Sequence, residues 1–227
     1  MTIANWIFLG LIILALGLWL ISIIKHKNIL QKVCECLILP LSATLIIMRL
    51  TKSLPDSFHI IEITAIAFSF ISISAVFLAF EKIYTLRVAG RIASLINLLC
   101  WSLLYEPIFR IHAVPVWLWI LCSCAYGAAI IVSCALSGKQ RILFYLTFAV
   151  SFAIAAFLHF CALIFLCYER TTASVMLFGG ASLAAGLVAF HFINLTRLNI
   201  KHAGVIRYSL LVVSQILIAC SNILLIH

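Results

Sequence analysis

Apolar residues in this chain form long runs, and most polar residues lie in the short segments between those runs. Each run has about 20 residues, the length at which an α-helix crosses the hydrocarbon core of a bilayer. The connecting segments have about 4 to 10 residues, which is usual between neighbouring helices. We therefore predict eight membrane-spanning helices, at residues 3–24, 33–50, 60–80, 88–105, 115–136, 142–168, 172–195 and 204–226.

Short connections leave no room for a soluble domain and make successive helices antiparallel neighbours. The expected fold is all-α, a polytopic bundle of eight helices in which residues 1–227 form a single integral membrane domain. The first run is too long for a signal peptide, lacks a basic start and continues into KHKNILQK, so we expect it to be retained. Composition agrees, because 66% of the residues are hydrophobic, only 9% are charged and the mean hydropathy is +1.28.

The net charge of +9 would suggest nucleic acid in a soluble protein, but the basic residues are distributed as in a membrane protein. Four lie near the connections that follow even-numbered helices: Arg49, Lys52, Arg110 and Arg170. The other eleven lie near the connections after helices one, three, five and seven: Lys25, Lys27, Lys32, Lys82, Arg87, Arg91, Lys139, Arg141, Arg197, Lys201 and Arg207.

The positive-inside rule then places the basic connections in the cytoplasm and both termini outside it. Anionic membrane lipids are a sufficient partner for these charges, so no nucleic-acid partner is expected. The expected location is the cell membrane, and among cell membranes we expect the bacterial inner membrane. The oligomeric state is left open.

The sequence contains none of the motifs G-x-S-x-G, H-E-x-x-H, G-x-G-x-x-G or Walker A. Nine cysteines include the pairs Cys34/Cys36 and Cys122/Cys124. Two residues that lie two apart on a helix point to different sides, so they chelate a metal poorly. We expect neither a metal nor a cofactor.

Four polar side chains fall at similar depth in four predicted helices: Ser74, Asn97, His191 and Gln215. Each lies six to eight residues from the basic residue at the inner end of its helix, or about 9 to 12 Å above the inner surface. Ser182 lies nearer the outer leaflet. These five residues are the candidate ligand-binding set, because a polar group in hydrocarbon is costly unless it faces protein or a wet cavity.

Two interpretations of this polar layer remain open. In the first, Asn97, His191 and Gln215 only join helices, at about 0.6 kcal/mol for each hydrogen bond. In the second, they line a cavity for a lipid headgroup, which requires several donors and acceptors at one depth beside an apolar cleft.

Residues 176–190, MLFGGASLAAGLVAF, contain small residues at the spacing that lets two membrane helices approach closely. We predict a helix-packing face here. Three pairs are spaced by four: Gly180/Ala184, Ala181/Ala185 and Ser182/Gly186.

Eight spans in a chain of this length, with Pro40 in the second and Gln215 in the last, resemble the YhhN family of lysoplasmalogenase-like membrane proteins. The seventh span of that family reads approximately L-F-x-x-S-D-x-x-L-A-x-x-x-F, and Leu177, Phe178 and Phe190 match it. The family's A-Q-x-L-I in the last span is matched by SQILI at residues 214–218.

The resemblance implies hydrolysis of the vinyl ether bond of lysoplasmalogens to an aldehyde and a glycerophospho-base. That reaction needs an acid to protonate the enol ether and a base to direct water. The family's two aspartates fall on Ala75 and Ser182 here, its lysine on Leu39, and its histidine on Asn97 or Leu98. No catalytic residue is therefore assigned.

Three functions remain as alternatives: a lysoplasmalogenase-like hydrolase, a noncatalytic relative that binds lipid or a partner in the membrane, and a small transporter. A transporter usually carries ionisable residues near the membrane midplane on several helices. Apart from His159, the sequence offers little of this kind.

Overall fold

The computed structural model describes residues 3–53, 58–80, 83–107, 114–137, 142–193, 200 and 203–224. This described part contains eight helices, each long and apolar enough to cross a membrane, and no strand, which confirms the predicted all-α class. The helices are α1 (Ile3–Ile24), α2 (Asn28–Ser53), α3 (Phe58–Ala79), α4 (Tyr84–Tyr105), α5 (Val116–Ser137), α6 (Ile142–Glu169), α7 (Thr172–Ile193) and α8 (Ala203–Leu224).

Two helices begin four or five residues earlier than the apolar runs predict. Helix α2 starts at Asn28 instead of residue 33, and α4 starts at Tyr84 instead of residue 88. Hydropathy detects only the part of a helix that crosses hydrocarbon, whereas the backbone hydrogen bonds continue through polar turns at headgroup depth. The predicted ends at residues 195 and 226 lie outside the described residues.

The described helices form two compact units, and the boundary between the units falls within α4. The first unit contains α1, α2, α3 and α4 as far as Trp101, and the second begins at Ser102 and contains α5 to α8.

The core of the first unit lies where α2, α3 and α4 bury large apolar side chains. Ile38 and Ile71 are completely buried. The Phe68 and Trp101 rings meet edge to face with their centroids 5.9 Å apart. Aromatic pairs favour this geometry, because the positive edge of one ring contacts the negative face of the other. Since Phe68 and Trp101 are also among the largest buried side chains, they fix how α3 packs on α4.

In the second unit, helices α7 and α8 pack closely. A Cβ atom added at Gly180 would lie 2.7 Å from Ile218 Cγ1 and 3.0 Å from the Ser214 carbonyl oxygen. Ala181 and Ala184 are buried beside it. The predicted packing face is thus confirmed at Gly180, where only a residue without a side chain allows the two backbones this near.

The packing face does not extend to all three predicted pairs. Gly186 is exposed, and a Cβ atom added there would meet nothing within 4 Å. Ser182 and Ala185 are half-buried. At about 100° for each residue, Ser182, Ala185 and Gly186 are rotated by about 140 to 240° from Gly180 around the helix, so they lie away from the face that meets α8.

The turn between α1 and α2 has only three residues, 25 to 27. His26 adopts a positive φ of 54°, and the Lys27 N–H donates to the Ser22 carbonyl at 2.8 Å. A left-handed residue of this kind ends an α-helix and satisfies its last carbonyl groups, a position that glycine usually takes. The turn makes α1 and α2 antiparallel neighbours.

The described helices expose many large apolar side chains. On α1, for example, Trp6, Ile13 and Leu14 are about 60% exposed. Apolar surface of this extent is unfavourable in water and indicates contact with lipid. The chain is therefore a multi-pass integral membrane protein.

Candidate functional site

The five predicted ligand-binding residues are divided between the two units. Ser74 and Asn97 lie in the first unit, and Ser182, His191 and Gln215 lie in the second. Their convergence on one cavity stays a prediction, so each unit is described by itself.

Asn97 joins α4 to α3. Its side chain is completely buried, and its Nδ2 donates a 2.9 Å hydrogen bond to the carbonyl oxygen of Ala67. Because an amide buried in hydrocarbon is costly without a partner, this bond accounts for a polar residue at that depth. Asn97 therefore has at least the helix-joining role of the first interpretation.

Ser74 lies seven residues beyond Ala67 on α3, about 10 Å along the helix axis at 1.5 Å for each residue. Its hydroxyl is completely buried and has no hydrogen-bond partner among the described residues, and the same holds for the hydroxyls of Ser42 and Thr64. Several other hydroxyls in the described helices instead bond to a carbonyl one turn back, as Ser69 does at 2.8 Å. Ser74 thus has a hydroxyl that no described residue uses.

Ser182 and His191 are half-buried on α7. The Ser182 hydroxyl donates to the carbonyl oxygen of Phe178 at 2.7 Å, within its own helix. His191 lies in the last turn of α7. Because the Ser182 hydroxyl is bonded locally, its single proton is already engaged, although the oxygen can still accept a bond.

Gln215 belongs to a buried polar row along α8. It is 1% exposed, and Ser214, Ser221 and Asn222 on the same helix are also buried. Gln215 and Asn222 lie seven residues apart, so they share one side of the helix. Of this row, only Gln215 was predicted from the sequence, although the seven-residue spacing from Gln215 was a signal that could have found Asn222.

Tyr105, the last residue of α4, meets the outer part of this row. Its hydroxyl lies 2.6 Å from Asn222 Oδ1, to which it donates, 2.6 Å from Ser221 Oγ and 3.1 Å from the Ile218 carbonyl oxygen. The Asn222 amide nitrogen is buried without a hydrogen-bond partner among the described residues. Nothing in the local sequence around Tyr105 indicates this cluster, since Tyr105 is more than 110 positions from each of its partners on α8.

A second polar cluster joins α1 to α2 in the first unit. The Glu35 carboxylate accepts hydrogen bonds from Trp19 Nε1 at 3.2 Å and from Gln31 Nε2 at 2.8 Å. Close by in sequence, the Lys32 ammonium lies 5.5 Å from the centre of the Phe80 ring. Such donors stabilise a carboxylate placed at the end of a membrane span. The four-residue spacing of Gln31 and Glu35 predicts their bond, but the partner on α1 follows only from the fold.

A third polar cluster, which the sequence did not predict, is a tyrosine–histidine pair in the second unit. The Tyr126 hydroxyl lies 2.5 Å from His159 Nδ1, and the two rings are nearly perpendicular. The Phe178 ring lies 4.9 Å from the imidazole, and the Phe152 ring lies 6.5 Å from the tyrosine ring. His159 was noted in the sequence only as an isolated intramembrane histidine, because the residue that bonds it is 33 positions away.

Within the described ranges, no three His, Cys, Asp or Glu side chains come close enough together to hold a metal ion. Comparison of the chain with protein-family models, curated proteins and solved structures finds no match. Resemblance to the YhhN family accordingly stays a prediction that rests on the sequence motifs.

Proposed function

We propose that this chain is a YhhN-like integral membrane protein that binds a lipid within the bilayer and does not hydrolyse it. The observation that carries the proposal is the chemistry at the two positions that match the family's aspartates. Ala75 is buried and has no polar group, and Ser182 donates its proton to a carbonyl of its own helix.

Vinyl ether hydrolysis requires a group that protonates carbon and a group that accepts a proton from water. Neither an alanine nor a serine hydroxyl bonded to its own backbone supplies these functions, because the pKa of a free serine is too high for a carboxylate's role. The matched positions therefore support binding over turnover.

Support for a lipid ligand comes from a buried polar group of the second unit that no described residue uses. The Asn222 amide nitrogen has no hydrogen-bond partner among the described residues. Gln215, which matches the family's glutamine, lies on the same side of α8 as Asn222. Lipid headgroups offer phosphate and carbonyl oxygens that accept bonds from such donors.

Hydrolysis of the lysoplasmalogen vinyl ether is the second candidate. The buried Gln215 and the SQILI sequence around it favour this candidate, since they match the last span of the family.

One experiment separates the two. Protein purified in mild detergent is analysed for bound lipid by mass spectrometry, and the same preparation is incubated with a lysoplasmalogen while free aldehyde is measured. We expect about one lipid for each chain, less in Gln215→Leu, and no aldehyde above an empty-membrane control. Ser151→Ala is the matched control, because its exposed hydroxyl bonds only to Thr147 of its own helix.

Lipid-free protein would refute binding. Aldehyde release that disappears in Gln215→Leu would instead establish the hydrolase. The proposed location is the cell membrane, most simply a bacterial inner membrane, with both termini outside the cytoplasm and the basic connections at its anionic surface.

A further inference from the structure

The Tyr126–His159 pair carries an inference about a site separate from the polar row of α8. Tyr126 has ten residues of α5 before it and eleven after it, so it lies about 15 Å from either end of that helix. His159 lies ten residues before the end of α6. The pair is therefore deep in the hydrocarbon, where an unsatisfied polar group is costly.

A count of hydrogens shows that the pair is incomplete. A neutral tyrosine and a neutral imidazole have two polar hydrogens together, and their mutual bond uses one of them. If the tyrosine donates to Nδ1, the Nε2–H of His159 has no acceptor within the pair. If Nδ1–H donates to the tyrosine oxygen, the tyrosine O–H has none. Among the described residues, the pair forms no other hydrogen bond. One donor consequently has no acceptor among the described residues.

The surroundings of the pair are apolar and aromatic. Tyr126 packs between two clusters of buried apolar side chains, one that includes Leu118 and Phe160 and one that includes Phe148 and Phe152. Phe178 lies beside the imidazole. Both Tyr126 and His159 are only half-buried, so a molecule dissolved in the membrane can reach them.

We propose that Tyr126 and His159 bind the carbonyl group of a hydrophobic quinone. The ligand must accept a hydrogen bond, carry no charge and enter the hydrocarbon core. The ester carbonyls of phospholipids lie at the membrane interface, whereas a quinone has a planar apolar ring, two carbonyl acceptors and a tail that dissolves in lipid. Aromatic side chains around the pair suit a flat ring, and the unused N–H or O–H suits its oxygen.

The test uses the full chain in nanodiscs of phosphatidylcholine, titrated with 2-decyl-1,4-benzoquinone. Binding is followed by the rise in unfolding temperature, and the quinone carbonyl stretch is followed by infrared difference spectroscopy. We expect saturable binding and a carbonyl band at lower frequency, which is the signature of a hydrogen-bonded carbonyl. Decylbenzene, which has the same tail and no oxygen, should give no comparable saturable binding.

His159→Phe keeps a ring and removes the imidazole, so only the tyrosine hydroxyl remains as a donor, and we expect about tenfold weaker quinone binding and a weaker shifted band. Tyr126→Phe keeps its ring and leaves the imidazole without a fixed tautomer, so we expect a loss of a few fold. Ser151→Ala, on the same helix as His159, should bind as the wild type does.

The proposal is overturned if the wild-type protein shows no saturable binding, if decylbenzene binds as well as the quinone, or if both ring variants bind quinone with wild-type affinity. Should His159→Phe fail to fold, the quinone affinity of Tyr126→Phe and the decylbenzene comparison still decide the question.

Discussion

Polar side chains within the spans act in two different ways. Ser182 and Ser151 donate to carbonyl groups of their own helices. Such bonds satisfy the hydroxyl without joining helices. Asn97 and Tyr105 bond to other helices, α3 and α8 respectively. Only the second kind constrains the tertiary structure, so its members should contribute measurably to stability.

Tyr105→Phe tests this difference. The substitution keeps the ring and removes the hydroxyl, so Asn222 and Ser221 lose a close polar partner in a buried site. We expect the free energy of unfolding to fall by about 1 to 2 kcal/mol, near the upper end for hydrogen bonds within membranes. Reversible unfolding in mixed micelles measures the change.

Tyr168→Phe is the matched control for that substitution. Tyr168 lies near the outer end of α6 and is 48% exposed, so water and headgroups can replace any partner that its hydroxyl loses. We expect a change below about 0.5 kcal/mol there. Equal losses in the two variants would contradict a structural role for the Tyr105 cluster.

At the scale of elements, one face of α7 determines how the second unit packs. The backbone of α8 at Ile218 and Ser214 lies against Gly180, whereas Gly186, farther along α7, is exposed. Sequence spacing predicts a close-packing helix here, and this is confirmed. It does not distinguish the three candidate pairs, because a spacing of four recurs on every side of a helix.

Gly180→Ala and Gly186→Ala make a matched pair that tests the face. Alanine is favoured over glycine within a helix by about 1 kcal/mol, so Gly186→Ala should be neutral or stabilising. At Gly180 the new methyl group would overlap Ile218 and the Ser214 carbonyl, which costs about 1 to 3 kcal/mol. We expect opposite signs for the two changes in unfolding free energy. Similar effects of both substitutions would exclude close α7–α8 contact at Gly180.

At the scale of the whole molecule, the described helices are those of a multi-pass membrane protein. The side of the membrane on which each connection lies is predicted from charge alone. Eleven of the fifteen lysines and arginines lie near connections after odd-numbered helices. Moving that many charges through a bilayer is unfavourable, and the cytoplasmic leaflet attracts them. The orientation should therefore be uniform.

Cysteine labelling from each side of intact cells checks the orientation. His26 and Arg170 are exposed turn residues that follow α1 and α6, and the exposed Cys124 and Cys167 are first replaced by alanine. We expect Arg170→Cys to react with a membrane-impermeant thiol reagent in intact cells. His26→Cys should react only after the cells are permeabilised. The reverse pattern would show that the charge distribution does not set the topology.

The sequence by itself determined the class of the molecule, the eight helices of its described part and the presence of a close-packing face on α7. These features depend on quantities that are local in sequence: the apolar length needed to span a bilayer, and the size of side chains one turn apart. Helix ends were less well predicted at Asn28 and Tyr84, because hydropathy stops at the hydrocarbon boundary while the helix continues.

Only the tertiary structure decided which polar side chains meet. Tyr105 bonds to Asn222 across 117 positions, and Tyr126 bonds to His159 across 33. No local pattern encodes such pairs, since each depends on the rotation of two separate helices about their axes. Similar depth in the membrane suggested a polar layer that included Ser74 and Asn97. In the fold, Asn97 donates to the backbone carbonyl of Ala67, whereas no described residue bonds to the Ser74 hydroxyl. The free energy of a polar group in lipid depends on the partner it finds, and that partner is set by packing.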